Sequence, residues 1–192
     1  LIQHAKDITV INSYIHSSAA SVPAINGAIY MMNASYCNIR NNTISQSSGK
    51  TPIQIVSSSY NNMTDNKIYS KASNVIFIGM GFNTYSVAGI SEFNIFKNNI
   101  INGTTGISSA GCYAIKLQGN SMKNKLVGQN TFIGNVISNA FVGVNAVADV
   151  GEVVIINNTF VNIKTGIDVS TNVVGGGIVV KGNSINVSNI GI

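Results

Sequence analysis

Residues 153–163 read VVIINNTFVNI, a run of β-branched residues interrupted by two adjacent asparagines, which are poor strand formers. The interruption recurs along the chain. CNIRNNTI (37–44), NNMTDNKI (61–68), FNIFKNNI (93–100), KLVGQNTF (125–132) and IVVKGNSI (178–185) have the same shape, and ITVINSYI (8–15) is a worn copy. Set in a seven-residue frame, the copies hold an apolar second position (Val10, Ile39, Met63, Ile95, Val127, Ile155, Val180) and an apolar seventh (Ile15, Ile44, Ile68, Ile100, Phe132, Phe160, Ile185). These define two inward columns. The fifth position holds Ser13, then Asn42, Asn66, Asn98, Asn130, Asn158 and Asn183. Asparagine tolerates positive φ better than other non-glycine residues, so it can bend the chain sharply between two short strands. Amides at the same height in stacked copies can also hydrogen-bond along the stack. The frame therefore predicts a structural ladder of these six asparagines, each left-handed in backbone and turned inward.

Successive copies lie 29, 24, 32, 32, 28 and 25 residues apart, a period that signals a solenoid or a propeller. Each interval carries a second short apolar run: GAIYMM (27–32), PIQIV (52–56), NVIFI (74–78), YAIKL (113–117), FVGVNAV (141–147) and TGIDV (165–169). One coil thus comprises three short strands, and no interval shows a helical period. Only 9% of the 192 residues are charged, while 45% are apolar. Such a chain has ample material for a core, and its surface is polar through neutral groups, chiefly its 28 asparagines with Ser and Thr. The ten Lys and one Arg are scattered singly, unlike the concentrated basic stripe of a nucleic-acid binder. No apolar stretch approaches the ~20 residues of a membrane span. Cys37 and Cys112 fall in different repeats and are expected to stay unpaired, one a buried thiol and the other a loop thiol.

The NNTI, NNTF and GNSI corners, each followed by a loop and a TGI-type strand, resemble the right-handed parallel β-helix family. This pectin-lyase-like family includes polysaccharide lyases, hydrolases and many phage tailspikes. The resemblance implies an all-β, single-stranded parallel β-helix over residues 1–192, with about seven coils at ~4.8 Å spacing. Leu1-Ile2-Gln3 and Ile190-Gly191-Ile192 read as strands of further coils, so the chain is expected to be a fragment of a longer solenoid. Two functions are compatible with it. One is the carbohydrate-facing rod of a phage tailspike or tail fibre, at the virion surface or otherwise extracellular, homotrimeric if a tailspike, binding and in some cases depolymerising bacterial polysaccharide. The alternative is a non-catalytic structural or adhesive solenoid of a virion or cell-surface appendage.

In this family, carbohydrate lies along the sheet formed by the second-run strands. Carried over, that sheet presents Tyr30, Gln54, Phe77, Lys116, Gly143 and Asp168 outward. The long connections 79–92 and 101–113 would wall its middle and add Phe82, Tyr85, Glu92 and Tyr113. The carbohydrate-binding candidates are thus Tyr30, Gln54, Phe77, Tyr85, Glu92, Tyr113, Lys116 and Asp168. Catalytic residues stay unassigned. The chain has six acids, of which only Asp149, Glu152 and Asp168 group together, and its one arginine, Arg40, points outward from a different sheet. The Asp pairs and His-Gly or Arg-rich strands of pectate lyases and polygalacturonases are not found, and neither a cofactor nor a metal site is implied.

Overall fold

The computed structural model describes residues 1–18, 27–47, 51–70, 74–79, 90–103, 112–119, 127–147, 150–169 and 177–190. Short β-branched runs form its strands, and every strand pairs in parallel with the equivalent strand of the next coil. Among the described residues there is no helix. The architecture is a parallel β-solenoid with three faces. The first face holds Ile2–Gln3, Ile29–Met32, Ile53–Val56, Asn74–Gly79 and Tyr113–Gln118. The second is a seven-stranded sheet running from Thr9–Ile11 through Asn38–Arg40, Asn62–Thr64, Ile95–Lys97, Asn130–Ile133 and Val153–Ile156 to Ile178–Lys181. The third begins with Tyr14–Ser17, Thr43–Gln46, Lys67–Ser70 and Ile100–Gly103. Two long strands, Val136–Val147 and Thr159–Val169, then run through the third face and into the first, joining them as one sheet. Each long strand is bent by a left-handed asparagine, Asn139 or Asn162. Of the seven rungs in the second sheet, five have a neighbour on both sides, so the count of full coils is slightly below the seven expected.

The core follows the inward columns. In the second sheet the register aligns Val10, Ile39, Met63, Phe96, Phe132, Ile155 and Val180. In the third face it aligns Ile15, Ile44, Ile68, Ile101, Ile137, Phe160 and Ile185. Two copies of the sequence frame are therefore displaced. Phe96 and Ile101 face inward where Ile95 and Ile100 were expected, and Phe132 and Ile137 take the places assigned to Val127 and Phe132. Phe96 and Phe132 stack inside at 5.0 Å between ring centroids. Each fully buried Ile or Phe side chain contributes roughly 1.5–3 kcal/mol, so these columns hold the rod together. Neither cysteine is in a disulfide, and both are buried, Cys112 included.

The ladder has the same correction. It runs from Ser13 through Asn42, Asn66, Asn99, Asn135, Asn158 and Asn183, with each backbone N–H donating to the Oδ1 one rung on at 2.8–3.0 Å. From Asn42 to Asn158 each Nδ2 also donates to that next Oδ1. Every ladder Nδ2 donates as well to a carbonyl of the rung before, as Asn66 does to Ile39. No amide is left unpaired, which is what burial demands. Asn98 is not in this ladder, and neither is Asn130. Nor do the ladder residues make the bend. Positive φ belongs to the residue before each one: Asn12, Asn41, Asp65, Asn98, Gly134, Asn157 and Gly182. The paired asparagines divide two tasks, the first bending the chain and the second satisfying the buried backbone.

Candidate functional site

On the first face, register stacks the residues that alternate with the core residues. Tyr30 lies opposite Gln54, Gln54 opposite Phe77, Phe77 opposite Lys116, Lys116 opposite Asn145, and Asn145 opposite Asp168. The expected column is present with one change, Asn145 replacing Gly143. Gly143 occupies a tight place instead, where an added Cβ would lie 2.5 Å from the Gly166 carbonyl oxygen and 2.6 Å from the Phe160 ring.

This column is sheltered. Asn145 is only 2% exposed, and its Nδ2 donates to Asp168 Oδ2 at 3.0 Å. The Asn145 Oδ1 is buried with no partner, and so is Gln54 Oε1. Leaving a buried acceptor unmatched costs about 1–3 kcal/mol. Lys116 Nζ lies 5.4 Å from the centre of the Tyr113 ring, which puts a cation and an aromatic beside the middle of the track. Burial pushes the Tyr30 phenol above its ordinary pKa, and its hydroxyl points to Met32 Sδ at 3.7 Å.

Other candidates fall elsewhere. Glu92 is in the strand Ser91–Glu92, paired with Val127–Gly128 at the bend between the first and second sheets. Its N–H donates to Ser59 Oγ at 3.1 Å, and its carbonyl accepts from the Tyr60 N–H. It is not on the outward column. Tyr85, Phe82 and Asp149 lie outside the described residues, as does most of both long connections. Glu152 is exposed at the bend before Val153, on a different face from Asp168.

That bend holds what the sequence frame missed. Asn61, Asn94 and Asn130 form a second buried ladder, in which Cys37 N–H donates to Asn61 Oδ1 at 2.9 Å, Asn61 to Asn94, and Asn94 to Asn130. The residues before Cys37, Asn61 and Asn94 are Tyr36, Tyr60 and Phe93, with φ of 58°, 61° and 55°. Their rings stack outside the rod, 5.1 and 4.8 Å apart and within 9° of parallel, with Lys6 Nζ 5.0 Å from the Tyr36 ring centre. A left-handed conformation costs roughly 1–2 kcal/mol per non-glycine residue, whereas each stacked pair returns about 0.5–1.5 kcal/mol. The stacks, together with the ring area they bury, offset much of the cost of the three bends. The signal was available in the spacing, because Asp7, Tyr36, Tyr60, Phe93 and Gln129 each precede a left-handed residue of the other bend by five positions.

A family model described as the right-handed β-helix region matches residues 1–122, more than half of the 192 residues. The chain belongs to that family. No curated protein and no solved structure matches it.

Proposed function

We propose that this chain is a carbohydrate-facing β-helix rod, of the kind carried by phage tailspikes and tail fibres, and that it binds polysaccharide along the outward column of its first face. The observation that carries this reading is the straight register of the first face, in which Tyr30, Gln54, Lys116 and Asp168 fall on one line and Lys116 Nζ lies 5.4 Å from the Tyr113 ring centre near its middle. Successive rungs are ~4.8 Å apart. Such a line can follow an extended saccharide along the rod. The Tyr113 ring and Lys116 supply the flat apolar surface and the placed polar group that such sites combine. An extracellular or virion-surface location and a trimeric assembly accompany this reading. Catalysis is not assigned to any residue of this chain, because Asp168 is the only acid on the column and glycoside hydrolysis needs two carboxylates about 5–9.5 Å apart.

The test is binding to a panel of purified bacterial surface polysaccharides by the parent, Lys116→Ala and Asp168→Asn. Both variants should keep the parent circular dichroism spectrum, and both should weaken any binding found by roughly tenfold, the loss of one good polar contact. Binding unchanged in both variants would remove the first face from consideration. The alternative, a structural or adhesive solenoid, would then describe the chain better.

A further inference from the structure

The outer face of the second sheet presents a second, differently built surface. Along each strand the outward residues follow directly from the aromatic bend: Tyr36, Asn38 and Arg40 on one rung, Tyr60, Asn62 and Thr64 on the next, and Phe93, Ile95 and Lys97 on the third. Three columns result, with stacked rings at one edge, Asn38, Asn62 and Ile95 in the middle, and Arg40, Thr64 and Lys97 at the far edge. From rings to cations spans about 13 Å, and Arg40 to Lys97 about 10 Å. Beside Arg40 the face is hollowed into a recess of about 300 Å³ lined by Thr9, Ile11, Asn38 and Arg40. Arg40 and Lys97 have no acidic partner among the described residues, and no hydrogen bond ties the Tyr36 or Tyr60 hydroxyl to them. Tyr36 and Tyr60 are 49% and 44% exposed.

We infer that this face is a second ligand site, for an anionic saccharide whose carboxylate or sulfate group is held by Arg40 in the recess and whose ring lies across Asn38 and Asn62 toward the Tyr36–Tyr60–Phe93 strip. The guanidinium fork pairs bidentately with either anion. Asparagine amides both donate to and accept from hydroxyls, and the exposed ring edges with the Tyr36 and Tyr60 phenol groups form the apolar and hydrogen-bonding wall. A nucleic-acid strand fits less well, because the ring faces cover one another and leave bases no stacking platform. The net charge of +5 favours the approach of a polyanion. The site is independent of the first-face column.

The experiment is isothermal titration of the whole chain, in low-salt buffer, with tetragalacturonate, a heparin tetrasaccharide, and the galacturonate tetramer with its carboxyls reduced to alcohols. Arg40→Gln and Tyr60→Asn are compared with the parent; asparagine accepts the left-handed backbone, so the second variant should retain its fold. At least one anionic tetramer should bind, the reduced tetramer should not, and each substitution should weaken binding by roughly tenfold or more. Lys67→Ala, on the third face, should leave this affinity unchanged. A carboxylate site and a sulfate site are distinguished by which tetramer binds. No binding by either anionic tetramer, equal binding of the reduced one, or affinity surviving both substitutions would overturn the inference.

Discussion

The bend between the second and third faces and the bend between the first and second are built alike. Each places one residue at positive φ and, in its middle coils, follows it with a buried asparagine whose amide satisfies the neighbouring rungs. They differ in what stands at the strained position. The former bend uses Asn, Asp or Gly in every coil, residues for which a left-handed backbone is inexpensive. The latter uses Asp7, then Tyr36, Tyr60, Phe93 and Gln129. Its amide ladder is also shorter, three asparagines flanked by Cys37 and Val153. One bend is a joint, optimised for closing the coil. The other accepts strain and carries side chains outward in a straight, evenly spaced row.

The first way to break this comparison is to remove an amide from each ladder. Asn66→Leu leaves the Asn42 N–H and the Ile39 carbonyl unpaired in the middle of the long ladder, and should cost roughly 3–5 kcal/mol. Asn130→Leu ends a ladder that already stops at Val153, and leaves the Asn94 N–H and the Ser91 carbonyl; about 1–3 kcal/mol is expected. Urea unfolding of both should rank them in that order. A smaller effect belongs to Gly134→Ala. Gly134 has φ +66°, and a Cβ there would lie 2.6 Å from Asn98 Oδ1, so a loss of about 1–2 kcal/mol is expected from the shift in unfolding midpoint. Smallest of all is Tyr60→Asn. Relief of the bend offsets the two lost ring stacks, and stability should stay within about 1 kcal/mol of the parent. A larger loss would mean that the aromatic row is there to hold the rod together.

The solenoid was legible because burial imposes the same apolar columns on every coil, and the second-run strands were found where GAIYMM, PIQIV and YAIKL placed them. The register of FNIFKNNI was not. Ile95 and Ile100 are 39% and 38% exposed, so two apolar sets alternate on opposite sides of the same strands and hydrophobicity cannot choose between them. The residue before the ladder can. Only a frame that ends Asn98-Asn99 and Gly134-Asn135 puts a residue suited to positive φ at the bend, whereas Lys97 and Gln129 are poor choices there. In KLVGQNTFIGNVI two ladders follow each other within five residues, and the frame took the first for the second. The first-face column was legible apart from Asn145, which a count of two residues beyond Gly143 recovers. The aromatic strip was hidden by propensity itself, since no local preference puts Tyr or Phe at positive φ.

The division of labour within each asparagine pair is tested most directly in the stretch VVIINNTFVNI. Asn157 is exposed with φ 54°, while Asn158 is buried, accepts from the Asn135 N–H and Nδ2 at 2.9 Å and donates to the Phe132 carbonyl at 3.0 Å. Denaturant unfolding of Asn157→Gly and Asn158→Gly should separate the two tasks. Glycine takes the left-handed backbone freely, so the first variant should stay within about 1 kcal/mol of the parent, and the second should lose roughly 2–4 kcal/mol by unpairing buried groups. Equal losses, or a greater loss at Asn157, would contradict the account.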